Sequence, residues 1–388
     1  MFHARIAYLR RLTATDLWDT HSYNKRLYSL NIDQRDREQM IPEVTELQEL
    51  RESNDIHGNP AALQERIAED GYLFFRQLQD REMLWELRRQ MLSTMQDGGW
   101  IKQGTDPVDG IAEPGVQCTE GDLEYTDVYH EVYRNQLFHE SAHRDIMINT
   151  VSDITGRDMT PQPQKVARLW FPKYTAHTTP IHQDFVHFQG TYDNLTCWAP
   201  VGDCPIELGG LAVLRGSHKV GHVMDHHFSL GAGSLMINAE DYEPLGLQWH
   251  TTNYEIGDTL IFPALTIHMA LPNVTEDKLR VSLDNRYQAI DDPIAEHMTE
   301  PHLASFSPFN WKETYTDWTS TKFQYYWKNI GMEIIPKDNS FSDRGFHEAC
   351  ELARSGNDEA VHHLRRFAKR AAGTEQGDEA ERVLSELT

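Results

Sequence analysis

The chain has 388 residues, of which 39% are hydrophobic and 25% charged, so it is not a disordered chain. That length allows two or three domains, or one large β domain with extensions. The 36 Lys and Arg residues against 60 Asp and Glu residues give a net charge of −24, which disfavours nucleic acid and anionic membranes as partners. Because the chain contains no run of about 18 apolar residues, a membrane-spanning helix is not expected.

The cysteines and the first residues bear on the cellular compartment. The four cysteines are scattered without a CxxC pair, so we expect neither a disulfide framework nor a thiolate zinc site. No apolar segment of a secretory signal follows Met1. We therefore expect a cytoplasmic protein, monomeric or homodimeric, whose partner is a small-molecule substrate.

The first half of the chain predicts helices around one strand and a long loop. Residues 1–60 are polar and charge-rich, which indicates helix and irregular chain. Periodicity then predicts a helix over 61–69, an aromatic strand over 72–76, a helix over 80–95 and a loop over 97–120. Loops of that length are often functional, so we expect this loop and the region after residue 290 to shape a binding pocket.

The second half begins as a run of short strands. The predicted strands cover 165–171, 194–201, 211–214, 233–237, 247–252, 258–263 and 278–288. Strand after strand with turn signals between them is typical of a sandwich or a barrel. The aromatic residues of 306–330 are expected to pack against the outside of the barrel rather than to cap its site, and the last 45 residues to be helical.

The sharpest chemical signal is His182-Gln183-Asp184. On a strand, residues i and i+2 point to the same face, so this imidazole and this carboxylate can share one cation. His268, after a turn and a strand, is the best candidate for a third ligand. Two histidines and one carboxylate form the facial triad of non-haem Fe(II) oxygenases. Alone, however, an HxD pattern is also common by chance.

Arg280 and Ser282 follow His268 and share one face of a predicted strand. A guanidinium fork beside a hydroxyl suits a carboxylate, and a 2-oxo diacid that chelates iron at one end needs such a clamp at the other. The alternative is a surface arginine on an edge strand. Arg286 shares the same face and is a second candidate for the clamp.

Two weaker signals accompany these residues. The stretch Gly209–His218, which ends in Gly-Ser-His, follows the HxD pattern by about thirty residues. The alternative interpretation is that it forms the ordinary turns of a β-hairpin. Trp198, on the strand after the HxD loop, is a candidate wall of a cofactor pocket, although core tryptophans are more common.

Together these ordered motifs, including GDTLIFPALTIH up to His268, resemble the phytanoyl-CoA dioxygenase (PhyH) family, from about Asp70 to Gln288. The resemblance implies Fe(II)- and 2-oxoglutarate-dependent oxygenases with a mainly β, double-stranded β-helix core of the jelly-roll or cupin type. Helical extensions would flank that core, giving the division 1–60, 61–290 and 291–388. The resemblance implies these site residues: His182, Asp184 and His268 as iron ligands, Arg280 on the distal carboxylate of 2-oxoglutarate, and Gln183 and Trp198 lining the co-substrate.

The resemblance implies a hydroxylase that uses Fe(II), 2-oxoglutarate and O₂ on a small or medium organic molecule, with succinate and CO₂ as co-products. Two alternatives stay open at this point: a cupin-like metal dioxygenase or isomerase that does not use 2-oxoglutarate, and a non-catalytic binding protein on the same fold. The substrate itself is not encoded in a motif.

Several polar residues have no fixed role at this stage. The upstream contact to the co-substrate is either Lys165 or Arg168, and Ala270 stands where a hydroxyl would help the co-substrate. His187 is expected to face away from His182 on an extended chain. The cluster of His218, His222, His226 and His227 is expected to lie on exposed loops, with a second metal site as the less favoured alternative and His218 as an orienting residue.

Overall fold

A computed structural model of the protein describes residues 47–306 and 308–387. The expectation of helix and irregular chain over residues 1–46 lies outside these ranges. The strands are β1 (Leu47–Glu49), β2 (Leu73–Phe75), β3 (Met159–Pro161), β4 (Val166–Trp170), β5 (Leu195–Pro200), β6 (Leu211–Leu214), β7 (His227–Phe228), β8 (Leu235–Met236), β9 (Trp249–Thr251), β10 (Thr259–Pro263), β11 (His268–Ala270), β12 (Arg280–Ala289), β13 (Ile294–Ala295) and β14 (Ile334–Ile335). The α-helices are α1 (Pro60–Asp70), α2 (Arg81–Asp97), α3 (Leu123–Tyr133), α4 (Gln136–Ser141), α5 (Asp145–Thr155), α6 (Phe185–Phe188), α7 (Ala239–Tyr242), α8 (Trp311–Thr314), α9 (Ser340–Arg354), α10 (Asp358–Arg370) and α11 (Glu375–Glu386).

Two sheets form the core, and the chain passes repeatedly between them. The larger sheet has the order β2-β10-β5-β12-β3, with β4 also beside β12, and its pairs are antiparallel. The smaller sheet has the order β1-β9-β6-β11, in which β1 is parallel to β9 and the other pairs are antiparallel. From β9 to β12 each strand changes sheet, as in a jelly roll. The predicted double-stranded β-helix core with flanking helices is confirmed.

Strand β12 shows how this core separates a polar interior from an apolar exterior. All of its residues are buried, and their side chains alternate between the two faces of the sheet. Val281 and Leu283 join the apolar cluster that contains the flanking helices. Arg280, Asp284 and Arg286 point the other way and line an inner cavity. The larger sheet therefore packs on helices through one face and presents charged side chains through the other.

Helix α2 illustrates why the flanking helices form where they do. The Asp80 carboxylate caps the helix by accepting the backbone N–H groups of Glu82 and Met83. Apolar side chains recur at helical spacing and bury one face against the sheet. The buried residues of that face are Leu84, Leu87, Met91, Leu92 and Met95. The predicted helix over 80–95 is thus confirmed, with a slightly later end.

The structure differs from the sequence-based expectations at two places. Residues 47–49, expected to be helical or irregular, form β1 at the edge of the smaller sheet. Residues 123–155, for which no element was predicted, contribute three helices. In α3 the buried face consists largely of tyrosines, whose hydroxyls mask the helical periodicity, whereas α5 buries Met147, Val151 and Ile154 at helical spacing and was missed despite that pattern.

Most of the aromatic stretch after residue 306 packs as expected, although Phe306 and Phe309 also line a large cavity, and the C-terminal residues are helical. Phe309, Trp311, Tyr315 and Trp327 are buried in the same cluster as the apolar faces of α2 and α3. Helices α9 to α11 form a separate cluster against Phe228. The domain boundaries at 60 and 290 stay a prediction. Within the described ranges, no helix has both the length and the apolar character needed to cross a bilayer.

Candidate metal centre and its cavities

His182 and His268 meet as an isolated backbone bridge. The N–H of each residue donates to the C=O of the other at 3.0 Å, and the ring centroids are 4.2 Å apart. The expectation of one strand carrying both His182 and Asp184 was wrong, because the chain turns into α6 directly after the bridge. Asp184 lies at the start of that turn, which still brings its carboxylate beside the two imidazoles.

The donor atoms of these three residues fit a single metal ion. The Nε2 atoms of His182 and His268 lie 3.4 and 3.5 Å from Oδ1 of Asp184. The Nδ1 atoms bond instead to the carbonyls of Pro180 and Thr266, at 2.8 and 2.9 Å, so each Nε2 is oriented toward the shared site. Burial, reinforced by His268, lowers the pKa of His182, and the neutral imidazole is the form that binds metals. Two imidazoles and a carboxylate are the donor set suited to Fe(II).

The Asp184 carboxylate is held by two side chains from the larger sheet. The Arg286 guanidinium lies 3.3 and 3.2 Å from its two oxygens, and the Thr196 hydroxyl donates to Oδ2. Burial opposes the charged carboxylate, but Arg286 and the two imidazoles outweigh it, so the pKa of Asp184 lies well below its usual range. Arg286, considered above as an alternative clamp, therefore serves the metal ligand. The alternation of side chains along β12 indicated which way Arg286 points, whereas no sequence motif indicated that Thr196 contacts Asp184.

Arg280 is a buried guanidinium without an acidic partner. Only 1% of the residue is exposed. Its Nε donates to the carbonyl of Gly209 at 2.9 Å, and one terminal nitrogen donates to Oγ of Ser282 at 2.6 Å. It lies 5.7 and 5.8 Å from the ring centroids of Trp170 and Trp198. No carboxylate in residues 47–306 or 308–387 pairs with it, and burial lowers its pKa to about 10.

A narrow inner cavity connects Arg280 to the metal ligands. The residues that line it include the predicted clamp Arg280, the predicted wall residue Trp198, and two of the candidate metal ligands, His182 and His268. The indole N–H of Trp198 is buried and finds no hydrogen-bond partner among the residues that the structure describes. Both the unpaired guanidinium and this unpaired N–H are donors, so the chamber is suited to an anionic, oxygen-rich molecule.

Of the two candidates for an upstream contact, Arg168 lines this cavity and Lys165 does not. Arg168 pairs with Glu120 and with Asp284, the latter at 3.2 Å. The Nζ of Lys165 instead donates to backbone carbonyls and to a tyrosine hydroxyl behind the sheet.

Gln183 does not face the inner cavity. Its amide nitrogen donates to the carbonyls of His222 and Leu265 at 3.1 and 2.9 Å, and its oxygen accepts from the N–H of Met224 at 2.7 Å. Gln183 therefore fixes the loop that passes behind the metal ligands, rather than lining the co-substrate as the resemblance implied. The Gln183 amide points away from the inner cavity because the chain turns between His182 and α6.

A second, larger cavity opens on the other side of His182. Its volume is about 720 Å³, and its wall includes residues 119 and 120 at the end of the predicted loop and residues 300–306 from the region after 290. That these regions shape the substrate pocket stays a prediction. His187 lines the same cavity, with its ring centroid 5.5 Å from that of His182. The prediction that His187 faces away from His182 was wrong, since α6 is helical rather than extended.

The histidines after residue 217 do not form a second metal site. In the described part of the chain, the one cluster of ligand atoms close enough to hold a metal consists of His182, Asp184 and His268. His226, expected on an exposed loop, is buried and accepts the backbone N–H of Gln183 at 3.1 Å. His227 contacts the Glu348 carboxylate at 3.1 Å.

His218 and His222 lie beside this group. The ring of His218 bonds the carbonyl of Ala68 at 3.2 Å, so it joins the Gly-Ser-His turn to α1. His222 is exposed, as expected, and its ring bonds the carbonyl of Val220 at 2.9 Å.

The sequence model of the family described as Phytanoyl-CoA dioxygenase (PhyH) matches residues 67–282. The 1-deoxypentalenic acid 11-beta-hydroxylase of Streptomyces exfoliatus is 28% identical over 243 residues, covering 58% of this chain and 80% of the relative. The protein of the same name from Streptomyces arenae is 25% identical over 246 residues, with the same coverage.

Among solved structures, the epimerase SnoN in complex with Fe³⁺, alpha ketoglutarate and nogalamycin RO is 19% identical, with a TM-score of 0.43, covering 60% of this chain and 86% of SnoN. The non-heme monooxygenase ThoJ is 13% identical, with a TM-score of 0.43, covering 84% of this chain and 99% of ThoJ.

The family match spans more than half of the chain and contains all three candidate ligands together with Arg280 and Ser282. The expectations of a PhyH-type enzyme and of iron and 2-oxoglutarate as its cofactors are confirmed. The chain therefore belongs to the phytanoyl-CoA dioxygenase family of 2-oxoglutarate-dependent non-haem iron enzymes.

Proposed function

We propose that the protein hydroxylates a C–H bond of a small or medium organic molecule, consuming 2-oxoglutarate and O₂ and releasing succinate and CO₂. In this proposal His182, Asp184 and His268 hold Fe(II), and Arg280 with Ser282 binds the distal carboxylate of 2-oxoglutarate. The metal and its co-substrate supply the oxidation chemistry, which couples O₂ activation to decarboxylation. The chain supplies neutral, oriented imidazoles, an ionised carboxylate and a chamber largely closed to water.

The observation that carries this proposal is the unpaired Arg280 in the chamber that also contains two metal ligands. A buried cation is costly unless a counter-ion joins it, and the planar guanidinium fork matches a carboxylate. This group favours an enzyme with a 2-oxo acid co-substrate over a cupin-like enzyme that does without one. Asp184 supports hydroxylation over halogenation, because a protein carboxylate fills the position that a halide would need.

The larger cavity supports an organic substrate of moderate size. Its volume of about 720 Å³ lies in the range of small-molecule sites, and it shares His182 with the inner cavity. Both curated relatives are named as hydroxylases of 1-deoxypentalenic acid. We infer that the organic substrate binds in this cavity, on the opposite side of His182 from Arg280. The cytoplasmic location and the monomeric or homodimeric state stay predictions.

The proposal is tested with the purified protein loaded with Fe(II). Supplied with 2-oxoglutarate and O₂, it is expected to form succinate that mass spectrometry quantifies, and the Mn²⁺-loaded protein is expected to bind 2-oxoglutarate in calorimetry. Asp184→Ala is expected to abolish succinate formation, because a ligand is lost. Absence of both 2-oxoglutarate binding and succinate would refute the proposal and favour a metal enzyme that does not use 2-oxoglutarate.

A further inference from the structure

Helix α10 contributes two arginines to the larger cavity. Arg366 and Arg370 are four residues apart, so they lie on the same face of the helix, and both line the cavity that also contains His182. This helix lies outside residues 67–282, which the family model matches. The C-terminal extension thus adds charged groups of its own to the wall of the cavity.

The two arginines differ in how their charges are compensated. Arg366 pairs with Asp122 at 2.7 Å and donates to the carbonyl of Glu120 at 2.6 Å. Arg370 makes neither a hydrogen bond nor an ion pair with any residue in the described ranges. Its guanidinium carbon lies 5.3 and 4.8 Å from the ring centroids of Phe306 and Phe367.

The neighbouring loop leaves room for this unpaired guanidinium. A Cβ atom at Gly121 would stand only 2.6 Å from a terminal nitrogen of Arg370, and the φ of +94° at Gly121 also favours glycine. Burial, followed by the like charge of Arg366, lowers the pKa of Arg370 to about 10. The group is still charged at neutral pH, and like charges four residues apart destabilise a helix. A buried charge that has no counter-ion in the free protein is typical of a group that gains its counter-ion when a ligand binds.

The rest of the cavity wall indicates how much negative charge a ligand can bring. Of the arginines on the wall, Arg168 is paired with Glu120 and Asp284, and Arg366 with Asp122, so among the described residues Arg370 is the arginine left without a carboxylate. Two nearby histidines, His177 and His363, add no positive charge, because burial lowers their pKa values to about 4 and about 3.

Apolar side chains complete the cavity wall. They are Val186, Phe188, Leu230, Leu235, Leu303 and Phe309. The cavity therefore matches an apolar body that carries one negative charge, and not a polyanion such as a CoA thioester.

We propose that Arg370 binds a carboxylate of the organic substrate and so determines which molecules the enzyme accepts. The planar fork of the guanidinium offers two parallel N–H donors to the carboxylate, and the apolar wall holds the remaining skeleton toward His182. This proposal rests on the proposed function, because it takes the larger cavity as the substrate site.

The test compares two probes of the same shape, adamantane-1-carboxylate and adamantane-1-methanol, on the Mn²⁺-loaded protein with 2-oxoglutarate bound. Calorimetry gives the dissociation constant of each probe for the wild type, Arg370→Met and Arg365→Met. Arg365 is the matched control, because it is an exposed arginine on the same helix and does not line the cavity. A desolvated, charge-assisted hydrogen bond predicts that the wild type prefers the carboxylate by about ten- to hundredfold.

Arg370→Met is expected to lose this preference, Arg365→Met to keep it, and Arg370→Lys to retain part of it. Equal binding of the two probes, no binding of either at millimolar concentration, or a preference that persists in Arg370→Met would overturn the inference. Binding of 2-oxoglutarate to the wild type is measured first. Its absence counts against the proposed function, whereas its presence without a carboxylate preference counts against Arg370 alone.

Discussion

Replacing Arg280 by methionine is expected to weaken 2-oxoglutarate binding more than it destabilises the free protein. Arg280 is buried and has no acidic partner in the described residues, so in the proposed complex it acquires its counter-ion from the co-substrate. Removing one member of a buried charge pair costs about 3–5 kcal/mol. That cost corresponds to a dissociation constant for 2-oxoglutarate higher by about a hundred- to several-thousandfold.

The stability of the ligand-free protein is expected to respond differently. Burial lowers the pKa of Arg280 to about 10, which corresponds to a penalty of about 3 kcal/mol on the charged guanidinium. Methionine removes that penalty and also removes two hydrogen bonds from a charged donor, to Gly209 and Ser282, worth about 1.5–3 kcal/mol each. The free energy of unfolding is therefore expected to fall by no more than about 3 kcal/mol.

Calorimetric titration of the Mn²⁺-loaded protein with 2-oxoglutarate and urea unfolding of the free protein check the two halves of this prediction. Arg88→Met is the matched control: Arg88 is a largely buried arginine bonded to the carbonyls of Val108 and Val201, and it lies outside both cavities. Unchanged affinity in Arg280→Met, or an equal loss of affinity in Arg88→Met, would refute the assignment of the clamp.

Three further predictions follow from buried groups near the site. Asp184→Ala is expected to abolish Mn²⁺ binding and to lower the free energy of unfolding by about 3–5 kcal/mol, because Arg286 loses its carboxylate. Adding Arg286→Met should restore stability but not metal binding, and equal stability of the single and double variants in urea would contradict this. Gly209→Ala is expected to cost about 1–3 kcal/mol, because φ is +88° and a Cβ would meet a backbone carbonyl. It should also weaken 2-oxoglutarate binding by displacing the carbonyl that holds Arg280, so an unchanged dissociation constant would argue against that contact. For Lys165, burial lowers the pKa from 10.5 to about 7, so this residue binds more protons in the unfolded chain between those values. Its own contribution to the free energy of unfolding therefore rises with pH across that window, by up to about 5 kcal/mol. In Lys165→Met this rise should be absent, and parallel pH profiles in urea unfolding would contradict the assignment.

The candidate site residues that the structure brings together belong largely to short motifs whose geometry is local. Arg280 and Ser282 share a face because side chains on a strand alternate with a period of two; Arg280 lines the inner cavity and donates to the Ser282 hydroxyl. His182 and Asp184 were recognised from their chemistry, although the supporting argument of a continuous strand was wrong. Their close spacing was sufficient to predict that they lie side by side, because a turn brings the two side chains together as a strand would.

The side chains that contact these residues are determined by strand register, which cannot be read from a short stretch of sequence. Thr196 and Arg286 are register partners between β5 and β12, and both contact Asp184 from that pairing. A shift of one residue would direct both side chains to the apolar face of the sheet. The orientation of Gln183 and His187 was likewise decided by the turn into α6.

The sequence by itself predicted the pair His182 and Asp184 and the guanidinium clamp from residue type and close spacing, whereas His268 and the jelly-roll class came from motifs spread along the chain and from their resemblance to a known family. Only the tertiary structure decided that Arg286 holds the carboxylate of Asp184, that Arg168 rather than Lys165 lines the inner cavity, and that Arg370 enters the larger one. These contacts join segments that are far apart in the chain. They arise from sheet register and from the docking of the C-terminal helices, which depend on burial across the whole fold.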